Sequence, residues 1–195
     1  EENANEASLI HDIIIFPCRS LEQIINHLKT SGSEEHKPIS PKELTLIENK
    51  IKPTTIDFSE IKGQATIKRG LEIAAAGGHN VAMYGPPGTG KTMLARAFTG
   101  IMPPLGLEEV IEVTGIHSAS GQLLEDLITE PPFRSPHHTS SYVSLVGGGT
   151  WPKPGEITMA HRGVLFMDEF PEFDKKVLEA LRQPLEDRVI SVARA

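Results

Sequence analysis

The stretch NVAMYGPPGTGKTMLARAFT, residues 80–99, carries three signals in a row: a short apolar run, a glycine-rich turn and a helical segment. Asn80 to Tyr84 read as a short buried strand, and Met93 to Thr99 as the helix that follows. Between them Gly85-Pro86-Pro87-Gly88-Thr89-Gly90-Lys91-Thr92 satisfies G-x-x-x-x-G-K-[ST] at every position. Each residue type has a physical reason to be there. Glycines let successive backbone N–H groups point inward around an anion where a Cβ would obstruct them. Lys91 opens the helix and reaches the β/γ-phosphates, and the positive end of the helix dipole adds to the attraction. Thr92 offers a hydroxyl to Mg²⁺, a hard cation that takes oxygen ligands. A chance Gly/Pro turn would lack the strand before and the helix after. The reading is a site for ATP and Mg²⁺ along Gly85–Thr92, with Met93 next in the helix.

Downstream, Gly163-Val164-Leu165-Phe166-Met167-Asp168-Glu169 is an apolar strand ending in two carboxylates. Apolar on both faces, Val164 to Met167 suit a central parallel strand. At its carboxyl end Asp168 is placed to hold the magnesium hydration shell and Glu169 to deprotonate the attacking water. A strand ending in Asp-Glu is weak evidence alone; following a complete phosphate loop, it is the partner that loop needs. A residue that activates water also favours a hydrolase over a simple binder. Upstream, Gln64 to Ala76 form a helix with Ile67, Leu71, Ala74 and Ala75 on one side, closed by Gly77-Gly78. Val110 to Val113 suit a further strand. Strands alternating with helices predict an α/β fold, a parallel sheet flanked by helices.

The composition of the 195-residue chain fits that class. Hydrophobic residues make up 38% of the chain, enough for a core and too many for overall disorder. No apolar run approaches the roughly 20 residues of a membrane helix. No secretory signal opens the chain, and Cys18 is the only cysteine, so a cytoplasmic protein without an intrachain disulfide is expected. The net charge of −7 divides into −5 over residues 1–60 and −2 over 61–195, so composition gives no nucleic-acid footprint. Residues 9–18 read as a strand. Ser20 caps a helix with Leu21, Ile24, Ile25 and Leu28 on one face. Residues 31–43 read as a linker, followed by a short helix at 43–50, with the second domain starting near Pro53.

Three segments together, DFSEIKGQ at 57–64, GPPGTGKT at 85–92 and GVLFMDE at 163–169, resemble the AAA+ ATPases. PFRSPHHT at 132–139, LVGGGTWPKPGEITMAHRGVLFMDEF at 145–170 and VLEALRQPLED at 177–187 resemble, more narrowly, the magnesium-chelatase-related ComM (YifB) family. The opening NANEASLIHDIIIFPCRSLEQIINHL resembles the end of that family's amino-terminal domain, an α+β fold like the Lon-protease carboxy-terminal domain. The resemblance implies three segments: 1–30 as the end of that domain, 31–52 as a linker, and 53–195 as an AAA+ core. That core would stop before the polar sensor, the arginine finger and the helical lid. It further implies a ring, hexameric in the intact protein, whose ATP hydrolysis drives branch migration of branched or single-stranded DNA in natural transformation. No membrane partner is implied. Ile61 and Gly63 would lie against the adenine, and Gly147-Gly148-Gly149 would belong to a hairpin insertion facing a central pore. The family's Arg-Pro-Phe-Arg is Pro131-Pro132-Phe133-Arg134 here, so one basic residue of that pair is missing.

Other constellations read as structural. Adjacent His137 and His138, with His161, lack the spacing of a metal site. Lys153, Arg134 and Arg162 are candidate DNA phosphate contacts, balanced against a solvated surface. Trp151 covers a proline turn in preference to stacking a base. His117-Ser118 lacks a third member for nucleophilic catalysis, and Val177, Leu178, Leu181 and Leu185 form a core helix face. Two alternatives to the DNA motor stand: a magnesium-chelatase motor subunit of tetrapyrrole synthesis, and a nucleotide-gated assembly module.

Overall fold

A computed structural model describes residues 4–8, 13–29, 39–43, 56–123 and 127–190. The chain divides into two compact units, Glu1–Glu48 with Leu123–Leu127, and Asn49–Gln122 with Ile128–Ala195.

In the first unit, α1 (Ala4–Ala7) precedes α2 (Leu21–Lys29). Ser20 starts α2 as expected: its Oγ accepts the Gln23 N–H at 3.2 Å, while Gln23 Oε1 accepts the Arg19 N–H at 2.8 Å. That exchange satisfies orphan donors of the first turn. The apolar face is present, yet Leu21 and Leu28 are each 71% exposed. The strand expected over 9–18 is not observed at 13–18, which join no ladder. Residues 9–12 and most of the expected linker and 43–50 helix lie outside the described residues.

The second unit is built around α3 (Ala65–Gly77), α4 (Lys91–Phe98) and α5 (Leu107–Ser120). Ile61, Leu71, Leu94 and Ala97 form one buried cluster, with Ile56, Phe58, Met83, Phe98 and Ile101 packed on it. Helix α3 ends at Gly78, whose φ of +60° suits a residue without a Cβ. Three of its four expected inward residues are buried; Ile67 stays 39% exposed.

The expected strand at Val110–Val113 is instead the middle of α5. Val110, Val113, Thr114 and His117 are all buried and recur at i, i+3, i+4 and i+7, so tertiary packing overrides the β preference of valine. Glu109 Oε2 accepts the Gly106 N–H at 2.9 Å and starts this helix. His117 Nε2 lies 3.1 Å from the Met159 carbonyl. Burial pulls its pKa below the ordinary histidine value, against the opposing effect of that hydrogen bond. The unfolded chain therefore binds a proton more readily than the folded one. The associated stability is present above the unfolded pKa of about 6.5 and is lost as pH falls through it. His117→Gln, which keeps a donor toward Met159, is expected to lose less melting temperature than wild type between pH 7.5 and 5.5. Identical losses in parallel melts would contradict this.

The sheet content is small. Strands β1 (Phe133–Arg134) and β4 (Val164–Leu165) pair in parallel, Phe133 opposite Val164 and Arg134 opposite Leu165. Val164 N–H to Pro132 and Phe166 N–H to Arg134, both 2.8 Å, extend the ladder. Gly163 is required where the strands meet, because a Cβ there would run into the Pro132 carbonyl. Between these strands lie α6 (Tyr142–Val146), the antiparallel pair β2 (Gly147–Gly148) and β3 (Lys153–Pro154), and α7 (Glu156–Met159). Leu145, Phe173 and Val177 close a second buried cluster.

Three expectations need correction here. Asn80–Tyr84 joins no ladder: Val81 is 47% exposed and Tyr84 fully so, since no described strand lies alongside to bury the run. Trp151 covers no turn and is 80% exposed at the tip of the β2–β3 hairpin. The core helix at 177–187 is broken into α8 (Lys175–Ala180) and α9 (Arg182–Glu186), and Leu185 faces solvent. Pro184 has no N–H to continue the α8 ladder, which accounts for the break.

Candidate nucleotide site

The phosphate loop owes its shape to its glycines. Gly88 and Gly90 have φ of +80° and +84°, left-handed values that a side chain disfavours, and Gly90 turns the chain directly into α4. Its carbonyl accepts the first helical N–H, from Leu94, at 2.9 Å. Within the loop, Thr89 Oγ1 donates to the Pro86 carbonyl at 2.9 Å. Lys91 Nζ donates to the Gly85 and Pro86 carbonyls, each at 2.9 Å. The ammonium thus lies folded back over the loop, where an anion's oxygens can replace two carbonyls as its acceptors.

Segment 57–64 is fastened beside this loop. Asp57 Oδ1 accepts the Ser59 N–H at 2.6 Å, and Glu60 Oε1 accepts the Asp57 N–H at 3.3 Å, a reciprocal capping box. The bond from Ser59 holds the Asp57 carboxyl below its usual range. Lys68, on α3, donates from Nζ to the carbonyls of Phe58 and Ile61. Ile61 is buried in the α3–α4 cluster, Gly63 adopts φ +70°, and Gln64 Nε2 reaches the Thr89 carbonyl at 3.5 Å. No signal in the sequence identified Lys68 as the latch, because the acceptors of a lysine are set only by the folded backbone.

The two sequence-distant halves meet at one contact. Thr92 Oγ1 donates to Asp168 Oδ2 at 2.9 Å, across 76 positions. A hydroxyl and a carboxylate side by side make an oxygen-only donor pair, which fits Mg²⁺ and not a softer metal. Asp168 Oδ1 accepts the N–H of Glu169 at 3.1 Å. Glu169 itself takes a left-handed backbone, φ +54° and ψ +44°, uncommon for a residue with a side chain. Its carboxylate Oε2 lies 3.4 Å from His138 Nδ1. Met93 is 37% exposed on the first turn of α4.

The basic residues considered for DNA are largely engaged. Arg134 forms a two-pronged pair with Glu156, Nε to Oε2 at 2.6 Å and Nη2 to Oε1 at 2.7 Å, which raises its pKa. Arg162 reaches Glu109 at 3.2 Å and Glu112 at 3.1 Å, and His161 Nε2 lies 3.0 Å from the same Glu112 oxygen. His161 and then Arg162 hold the Glu112 carboxyl below its usual range. Lys153 is exposed on β3. Among the described residues no three His, Cys, Asp or Glu side chains gather as a metal site, and no helix is long and apolar enough to cross a membrane.

Comparison with known proteins matches residues 57–195 to the family described as magnesium chelatase, subunit ChlI. Over its full length the chain is 46% identical to competence protein ComM of Haemophilus influenzae, covering 38% of that protein. It is 51% identical to an uncharacterized protein, YifB, of Escherichia coli K12, over 71% of this chain and 28% of that one. Against the magnesium-chelatase 67 kDa subunit of Heliobacterium mobile the identity is 26%, over 67% of this chain and 24% of the relative. The chain therefore spans well under half the length of these relatives.

Proposed function

Because this chain belongs to the magnesium chelatase, subunit ChlI family, an AAA+-related family, we propose that it is the nucleotide-binding part of an ATP-hydrolysing motor. The observation that carries the reading is the Thr92–Asp168 contact, which unites the phosphate loop with the acidic strand end. ATP lies along Gly85, Pro86, Pro87, Gly88, Thr89, Gly90, Lys91 and Thr92, with Met93 behind it and Ile61 and Gly63 on the adenine side. Lys91 binds the β/γ-phosphates, and Thr92 with Asp168 holds Mg²⁺. Bound there, the ion supplies positive charge that offsets charge building on the phosphate oxygens. Glu169 takes the proton of the attacking water. Residues 1–30 are the end of a Lon-C-terminal-like domain, 31–52 the linker and 53–195 the AAA+ core. The polar sensor, arginine finger and lid are supplied by the rest of the intact protein and its neighbours in a hexameric ring.

For the motor's substrate we favour branched or single-stranded DNA, with hydrolysis driving branch migration in the cytoplasm. The 46% identity to a competence protein, against 26% to a chelatase subunit, supports this over tetrapyrrole metallation. The presence of Glu169 beside Asp168 supports hydrolysis over a module in which nucleotide only organises a ring. The intact protein is expected to bind forked or four-way DNA about tenfold more tightly with Mg·ATP than without nucleotide, a coupling of ordinary size. Fluorescence anisotropy on forked, four-way and plain duplex DNA reads it. Equal indifference to every DNA would instead favour the chelatase-like or assembly role.

A further inference from the structure

We propose that Lys68 is the positioning residue for the nucleobase, holding segment 57–64 in the shape that receives it. The role rests on reading Ile61 and Gly63 as the adenine side. The segment has little structure of its own. After one tight turn, Phe58–Glu60, the chain runs from Ile61 to Gln64 without a ladder partner before α3 begins. Phe58 and Ile61 lodge their side chains in the α3–α4 cluster, but Lys62 and Gly63, which follow, are exposed. Gly63 and Gln64 both take left-handed backbone, with φ of +70° and +57°. A residue with a side chain, such as Gln64, keeps that conformation only where its surroundings impose it.

Lys68 supplies much of that constraint, because it reaches the segment at three points. Its ammonium donates to the Phe58 carbonyl at 2.6 Å and to the Ile61 carbonyl. Its backbone N–H donates to the Gln64 carbonyl at 2.9 Å, the first bond of α3. The ammonium closes the carboxyl end of the turn, where a cation suits the carbonyls left over. The exposed pair Lys62–Gly63 is thereby held on both sides, at Ile61 by the side chain and at Gln64 by the backbone. A Cβ at Gly63 would meet nothing within 4 Å, so the backbone there stands open to the approach of a flat ring. Ile61, packed with Leu94 of α4, and Gln64 Nε2, 3.5 Å from the Thr89 carbonyl, set the segment against the phosphate loop. Losing the ammonium removes two of the three ties to the segment. The loop keeps its own bonds, from Thr89 to Pro86 and from Lys91 to Gly85 and Pro86. Binding of the base and binding of the phosphates therefore separate at Lys68.

The test titrates the intact protein with Mg·ATP and with Mg·tripolyphosphate, which offers the loop its phosphates and carries no base. Lys68→Met keeps an unbranched apolar stem and removes the donor. We expect its Kd for ATP to rise about tenfold, the factor that follows when the segment stands in place about a tenth of the time. Its Kd for tripolyphosphate should stay within about twofold of wild type. Lys68→Arg, which keeps charged donors on a long stem, should recover most of the loss. Should the Met variant fold poorly, Lys68→Gln, uncharged and shorter in reach, supplies the same comparison. Gly63→Ala is the reference for the base side: it should weaken ATP and leave tripolyphosphate unchanged. Unchanged ATP affinity in Lys68→Met beside a selective loss in Gly63→Ala would overturn the role of Lys68 alone. So would equal losses for the two ligands in Lys68→Met. Wild-type ATP affinity in Gly63→Ala would remove the reading of this segment as the base side, and this proposal with it.

Discussion

Glu169→Gln in the intact protein is expected to bind ATP as tightly as wild type while phosphate release falls by at least about a hundredfold. The magnitude is that of removing a general base. Gln matches Glu in volume, keeps the backbone N–H that bonds Asp168 Oδ1, and leaves the Thr92–Asp168 contact untouched. What it lacks is an oxygen basic enough to take a proton from water. Binding and turnover should therefore separate cleanly: nucleotide affinity unchanged by titration, and no burst or steady release of phosphate. Loss of both together would point to a damaged pocket, and retention of both would show that another group activates the water.

Lys91→Ala should act at the earlier step and abolish detectable nucleotide affinity, a loss of about a hundredfold or more. Hydrogen bonds to charged groups contribute about 1.5–3 kcal/mol each, and the ammonium can supply more than one to the β/γ-phosphates. The variant also removes the two bonds Nζ makes to the Gly85 and Pro86 carbonyls. Pro86 is exposed and Gly85 half-buried, so water can replace the lost partner and the cost to folding should be small. Melting without nucleotide distinguishes the two effects: it should change little, while the response to Mg·ATP disappears.

What the sequence made legible was local. The phosphate loop carries its own chemistry in eight consecutive residues, and its helix and the αL glycines follow from it. The helices at Ala65–Gly77 and Lys91–Phe98, and the cap at Ser20, were likewise written in periodicity and capping residues. Pairing was not. Phe133–Arg134 became a strand only through its partner Val164–Leu165, and two residues leave no alternation to read. Val110–Val113 shows the converse: four residues of β-prone sequence lie inside a helix whose buried face extends to His117. Period-2 and period-3.6 readings cannot be separated over so short a run. The apolar run at Asn80–Tyr84 was read as a buried strand and forms none, because pairing depends on segments elsewhere in the fold.

The same division holds for the site. Composition and spacing nominated Thr92 and Asp168, and the fold brings them within 2.9 Å. Spacing gave no hint of His138 beside Glu169, nor of Lys68 latching the 57–64 segment, because both arise from tertiary register and not from neighbours in sequence. Arg134 and Arg162, plausible phosphate contacts as isolated cations, spend their charge on Glu156, Glu109 and Glu112.

The most direct test of nucleotide binding at this loop is the melting temperature of the chain with and without Mg·ATP, run beside Lys91→Ala. At ligand near 100 times its Kd the wild type should gain about 2.7 kcal/mol, a shift of several degrees, and the variant none. Equal shifts in both proteins would contradict the assignment of Gly85–Thr92 as the phosphate site.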